Sequence, residues 1–180
     1  MATAGWTGEV RSQVEQCARR SVALEVVAES GVTSRWGLAQ TPKLIADAVD
    51  VLLVEFAAND ANLRRFVSLS ESRGNHQEII RAVRKAQPSA KIFLIAVSPT
   101  WGLRGFWIRP WLDRYYGLYA QLAQTEGVDF IDARPQWDMS TIRKTVPDGL
   151  HPAPQAMQQI VAPYVARRIC AAFESIEGNR

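Results

Sequence analysis

The chain has 180 residues, of which 47% are hydrophobic and 22% charged, with a formal net charge of +3. That length is enough for one domain with a substantial core, and the composition is ordinary for a soluble globular protein. The 21 basic residues form no run, which argues against nucleic acid or a membrane surface as partner. No apolar stretch approaches a membrane span, and Met1–Trp6 has neither the charged nor the apolar region of a signal peptide.

Val10, Val14, Cys17 and Ala18 recur at helical spacing, so residues 7–20 read as an amphipathic helix. A short strand is predicted at 23–27, ending in the small-residue loop Glu29-Ser30-Gly31-Val32-Thr33-Ser34. Residues 35–47 read as a helix that Pro42 divides. The stretch that opens at Val49 is a nearly continuous apolar run, read as a strand over 50–57 covered on both faces, and it ends in Ala57-Ala58-Asn59-Asp60. A loop at 61–70 precedes a polar helix at about 71–86, which stops before Pro88. His76 lies among Asn75, Gln77 and Glu78 and reads as a solvated surface residue.

Lys91–Ser98 is a second strand buried on both faces, followed by an irregular loop at 99–110 rich in aromatics. A helix marked by Leu112, Tyr115, Tyr116, Tyr119 and Leu122 ends at Gly127, a natural terminator. Val128–Ile131 is the last strand, and residues 132–147 are mixed, with room for a helical turn. The final helix, 154–174, should be kinked or split by Pro163. Cys17 and Cys170 sit on apolar faces of predicted helices without metal-type spacing. They read as free thiols acting as small hydrophobes, in a reduced, cytoplasmic protein. Strand and helix alternate throughout, the pattern of an α/β fold with a parallel sheet.

In such sheets ligands sit beyond the carboxyl ends of the strands, which is where Gly31, Asn59 and the segment Asp148-Gly149-Leu150-His151 fall. The residue before a proline is held extended, so Pro152 gives the His151 imidazole a defined direction. Asp148, three residues earlier across a turn, can reach Nδ1 of that ring, which would leave Nε2 free as a base. The plainer alternative is an Asp that makes its own turn and a His beside a helix start.

At these residues the chain resembles the SGNH hydrolases, also called GDSL-type esterases and lipases. Ser30-Gly31 resembles the family's Gly block, Ala57-Ala58-Asn59-Asp60 its Asn block, and Asp148-Gly149-Leu150-His151-Pro152 its last block, in the family's order. The likeness spans about residues 5–165. It implies one flavodoxin-like, three-layer α/β/α domain over 1–180 with a mainly parallel sheet. It also implies hydrolysis of a carboxylic ester, of a small molecule or a carbohydrate, by acyl transfer. A Ser attacks, His151 moves the proton, Asp148 orients the ring, and the Gly31 N–H and the Asn59 amide hold the oxyanion. No metal or organic cofactor is implied.

Two departures stand out. Ala57 replaces the family's usual Gly, and the first block, with the Ser nucleophile and an interior strand, is missing. Without that strand, 23–27 and 51–56 must pair directly, accept a strand from elsewhere, such as a second copy, or leave backbone groups unpaired. Burying such groups unmet costs about 1–3 kcal/mol each. Thr3, Ser30, Thr33 and Ser34 are the substitute hydroxyls to weigh, against the simpler role of satisfying loop backbone. Trp36, Trp101 and Trp107 are the candidate substrate-binding rings. With Trp111, Arg104 and Arg109 they would suit a sugar or an acyl-aryl ester, the alternative being core packing or a clamped lid. Two functions follow: an esterase whose hydrolysis is very weak without the Ser, or a non-catalytic binding protein that keeps the pocket. A nucleotide binder of similar topology also fits the alternation, but the sequence has no Gly-rich phosphate loop to support it.

Overall fold

The structure is a computed structural model and describes residues 4–177. Its helices, in chain order, are α1 (Ala4–Ala18), α2 (Ser34–Ala39), α3 (Thr41–Leu44), α4 (Ala57–Asp60), α5 (Leu69–Ala86) and α6 (Leu112–Glu126). They are followed by α7 (Ile142–Thr145), α8 (Pro154–Ala156) and α9 (Ala162–Glu177). Among the described residues the strands are β1 (Val51–Val54), β2 (Lys91–Ala96) and β3 (Asp129–Asp132). They form one parallel sheet in the order β1-β2-β3. Leu53 is opposite Phe93 and Phe93 opposite Asp129, while Val54 aligns with Leu94 and Leu94 with Phe130.

β2 is central, and Ile92 to Ala96 are all buried, which explains why this stretch is uniformly apolar rather than alternating. Its side chains still point to opposite faces with period two. Phe93 and Ile95 pack with Val10, Val14, Val165 and Ile169 of α1 and α9. Leu94 and Ala96 meet Tyr115, Leu118, Tyr119 and Leu122 of α6, and Ile92 meets Ile80 and Val83 of α5. The result is helix, sheet and helix in three layers, an α/β architecture. Each large side chain fully buried between them contributes about 1.5–3 kcal/mol.

Local chemistry sets the element ends. The Ser68 hydroxyl accepts the Glu71 N–H at 3.1 Å and so caps α5, which therefore begins inside the stretch expected to be loop. Gly127 closes α6 with φ 60°, the left-handed position that favours glycine. Pro42 sits in the first turn of α3, where its missing N–H costs nothing, and Gln40 separates α2 from α3. The C-terminal helix is divided as α8, a π-turn at Met157–Val161, and α9, with Pro163 in the first turn of the last piece.

Two expectations are corrected. No strand forms at 23–27: the segment is irregular, and Leu24 and Val26 are each 43% exposed. Within the described residues β1 pairs only with β2, so its other edge carries no ladder. Direct pairing of the two segments does not occur. Backbone around Ala23–Val26 lies at an exposed surface and keeps water, which spares it the cost of burying unmet groups.

The second correction concerns the cysteines. Cys17 and Cys170 are bonded to each other, with Sγ–Sγ 2.01 Å and Cα atoms 6.2 Å apart. The packing of α1 along α9 brings together two thiols separated by 153 positions. Each position alone looks like an apolar helix face. The free-thiol reading is withdrawn, and with it the ground for a reduced, cytoplasmic setting.

Candidate active site

Three connections leave the carboxyl ends of the strands and meet on one rim. After β1 the chain turns into α4, which carries Asn59. The Asn59 side-chain amide donates to the Val32 carbonyl at 2.8 Å, placing it against the Gly31 loop. Asp60, 1% exposed, secures the same junction from beneath. One of its oxygens accepts the Ser34 N–H at 2.8 Å and the other the Ser72 hydroxyl at 2.6 Å. Gly31 has φ +73°, and a Cβ there would lie 2.6 Å from the Arg65 guanidinium. The left-handed φ is what favours glycine at 31, since the guanidinium is the end of a flexible side chain that can swing aside.

Asp148 and His151 form the second half. Asp148 Oδ2 lies 2.8 Å from His151 Nδ1, and Oδ1 accepts the N–H groups of Leu150 at 3.0 Å and His151 at 2.7 Å. Burial alone would raise the Asp148 carboxyl. The N–H of His151, its ring, and the N–H of Leu150 outweigh that and hold the group well below the usual carboxylate range. The carboxylate therefore stays charged at neutral pH and fixes a proton on Nδ1. Among the described residues nothing is hydrogen-bonded to Nε2. Gly149 makes the turn between them with φ +79°, and a Cβ there would come within 2.2 Å of the Trp101 carbonyl.

The loop after β2 ties the halves together. The Arg109 guanidinium donates to the Ala58 carbonyl, next to Asn59, and to the Arg104 carbonyl at 3.1 Å. Arg104 in turn donates to Asp148 Oδ2 at 2.8 Å. A chain of hydrogen bonds thus runs from the Asn59 turn through two arginines to the Asp148–His151 pair. The loop's N-terminal end is clamped as well: Trp101 donates its N–H to Gly149 O at 2.9 Å and its indole N–H to Val146 O at 2.8 Å.

The tryptophans expected near substrate separate into different roles. Trp101 is this clamp, with the Arg143 guanidinium 5.3 Å over its ring. Trp107 belongs to a π-turn at Leu103–Trp107 and is 77% exposed. Trp36 packs edge-on against Phe56 and lines a cleft of about 410 Å³ together with Glu29, Ser30, Gly31, Thr33, Arg64 and Arg65. Of the hydroxyls considered, Ser34 is buried and accepts from Asn75 at 2.9 Å. Ser30 and Thr33 face the cleft, and Thr3 lies outside the described residues. A separate cleft of about 350 Å³, lined by Arg84, Lys91 and Asp129 among others, opens at the amino ends of the strands and holds neither histidine.

Residues that sequence reasoning missed lie directly beneath the Asn59 turn. His76 is not solvated but 0% exposed, a correction with a visible signal: Ser72, His76, Ile79, Ile80 and Val83 fall on one helical stripe, the buried face of α5. Its Nδ1 lies 2.7 Å from the Ser72 carbonyl, which only accepts, so Nδ1 carries the proton. Nε2 therefore accepts the Tyr119 hydroxyl at 2.9 Å. The Tyr119 oxygen receives the N–H groups of Phe56 at 2.8 Å and Ala57 at 3.0 Å. Every polar atom of this buried pair is satisfied, and the start of the Asn59 turn is fixed by it. Burial holds the His76 ring below its ordinary pKa, against the pull of the Ser72 carbonyl and Asp60. Glu55, beside the same turn, is pushed up to about 7, by burial first.

Among the described residues no group of three or more His, Cys, Asp or Glu could hold a metal ion, and no helix is long and apolar enough to cross a membrane. A comparison with curated proteins found no match. The fold is shared with solved structures of low identity. An acetylxylan esterase from Geobacillus stearothermophilus, solved as a catalytic mutant, matches at TM-score 0.76 and 18% identity, covering 92% of this chain and 81% of that one. A carbohydrate acetylesterase from Sinorhizobium meliloti matches at 0.73 and 18%, covering 93% and 85%. The M. smegmatis aryl esterase matches at 0.68 and 16%, covering 92% and 84%. A family model is matched directly by residues 2–159, a span that contains the Gly31 loop, the Asn59 turn and the Asp148–His151 pair alike. The chain belongs to the GDSL-like lipase/acylhydrolase family.

Proposed function

We propose that this chain carries the acid–base and oxyanion-binding parts of a carboxylic-ester hydrolase, acting on an acyl or acetyl ester of a small molecule or a carbohydrate. The observation that supports it is the Asp148–His151 contact at 2.8 Å with Nε2 left open. A serine hydroxyl attacks the ester carbonyl carbon while Nε2 takes its proton. The resulting oxyanion is held by the Gly31 N–H and by the second N–H of the Asn59 amide, whose first is spent on Val32. Nε2 then returns the proton to the departing alcohol, leaving an acyl-serine that water cleaves by the same steps. Preorganised donors of this kind are worth about 2.7–4 kcal/mol each in acyl transfer.

The serine has no counterpart among the described residues: none places a hydroxyl on Nε2. That favours a second reading, a non-catalytic pocket that binds the ester or its product without turnover. The open edge of β1 supports a partner reading too, in which a strand from another chain, such as a second copy, lies along it. Release of p-nitrophenol from p-nitrophenyl acetate separates the first two readings. It should be measured for this chain, for a form extended at the N-terminus by a Gly-Asp-Ser strand, and for the extended form with His151→Ala. Activity gained by the extension and lost with the imidazole supports the hydrolase. Equal rates in all three overturn it, and ester binding without turnover in the extended form selects the binding protein.

A further inference from the structure

The cleft beside Gly31 has a charge pattern that ester hydrolysis by itself does not require. Most arginines with neighbours in reach are spent on them. Arg35 grips Glu71 through two nitrogens, Arg104 holds Asp148, Arg134 holds Asp132, and Arg109 is used on two carbonyls. Arg64 and Arg65 both line the cleft, and among the described residues neither guanidinium has a carboxylate or carbonyl partner. Arg65 lies directly on Gly31, its Nη2 2.6 Å from where a Cβ would stand.

The loop that presents the two arginines is held in place before any ligand arrives. Arg35, already fixed by Glu71, donates to the Arg65 carbonyl at 3.2 Å and the Phe66 carbonyl at 2.8 Å. Asn62 accepts the Arg64 N–H at 3.0 Å, and Leu63 donates to Ile108 O at 3.0 Å. Phe66 takes φ 53°, a left-handed conformation that a bulky residue adopts only when its surroundings impose it. Two unspent guanidinium groups on a preorganised loop are the usual means of gripping a carboxylate or phosphate. Glu29, also in the cleft, offsets one of their charges and leaves the wall net positive. Trp36 contributes a flat ring on the same side.

We infer that this cleft binds the anionic group of the substrate, so that the ester processed here carries a carboxylate or phosphate gripped by Arg64 and Arg65, with Trp36 against the ring that bears it. This deepens the reading above, because it takes Gly31 as a wall shared with the ester site. The anion pocket is tested by binding alone, so turnover does not enter. Calorimetric titration of the chain with glucuronate, with glucose as the neutral counterpart and with inorganic phosphate as a third probe, gives the comparison. Glucuronate should bind at least about tenfold more tightly than glucose. Arg64→Gln and Arg65→Gln should each weaken it by about tenfold, the worth of one charge-assisted hydrogen bond. Both side chains are exposed, so the melting temperature should stay put. Phosphate held more tightly than glucuronate, with the same arginine dependence, supports the site and makes its anion a phosphoryl group. Equal affinity for glucuronate and glucose, or anion binding unchanged in both variants, overturns the proposal. Esterase activity missing from the extended form while anion binding persists would reject the hydrolase reading and leave this one standing.

Discussion

Replacing Tyr119 by Phe removes one oxygen and leaves three buried partners behind. The N–H groups of Phe56 and Ala57 lose their acceptor, and His76 Nε2 loses its donor. Tyr119 and His76 are both 0% exposed, so water cannot easily step in. At about 1–3 kcal/mol for each buried group left unmet, Y119F should cost about 3 kcal/mol or more. That is a large share of the roughly 5–15 kcal/mol by which a domain is stable. With a urea m-value near 2 kcal/mol/M, the unfolding midpoint should fall by about 1.5 M. Tyr115→Phe is the matched control, since its hydroxyl makes one bond, to Val67 O at 2.6 Å, and should cost only about 1–2 kcal/mol. The loss should also be local: amide hydrogen exchange at Phe56 and Ala57 should quicken in Y119F, because the Asn59 turn loses its anchor. If Y119F costs no more than Y115F, or exchange at those amides is unchanged, the buried His–Tyr pair does not hold the turn.

Glu55 supplies a pH test. Its carboxyl titrates near 7 in the folded chain instead of 4.5, so the unfolded state ionises first. Stability therefore falls as pH rises from about 4.5 to 7, by about 3 kcal/mol at 1.36 kcal/mol per pH unit. His76 acts oppositely: its lowered pKa means that stability falls as pH drops below about 6.5. In Glu55→Gln this loss should vanish while the rise with pH from His76, joined at the acid end by Asp148 and Glu71, remains. A pH dependence of the midpoint identical to that of the unaltered chain would refute the assignment. The disulfide closes a loop of 153 positions, worth about 5 kcal/mol on the chain-entropy account. Native protein should show no reactive thiols until reduced, and reduction should lower the urea midpoint; two titratable thiols beforehand would refute the pairing.

How much of this was legible differs by element. Residues 50–57 and 91–98 stood out as strands because a parallel sheet between helix layers leaves little room for polar side chains on either face. The strands that form are the shorter Val51–Val54 and Lys91–Ala96. The end of α6 was written in Gly127, and the Asp148-to-His151 spacing in a turn that needs only four residues. Those are local constraints, and local sequence states them. Segment 23–27 has the composition of a strand but finds no partner to ladder with, so propensity alone misled.

What the sequence determined without help was the class of fold and the place in the chain of the three strands that form. Tertiary structure decided the rest, because each remaining fact depends on two segments far apart in the chain. His76 is buried only because α5 turns that face to Tyr119. Cys17 meets Cys170 only because α1 lies along α9. Arg104 and Arg109 join the Ala58 carbonyl to Asp148 only because the loop after β2 crosses between them. Hydrophobic patterning tells a helix which face to bury, but which partner waits on the other side is fixed by packing.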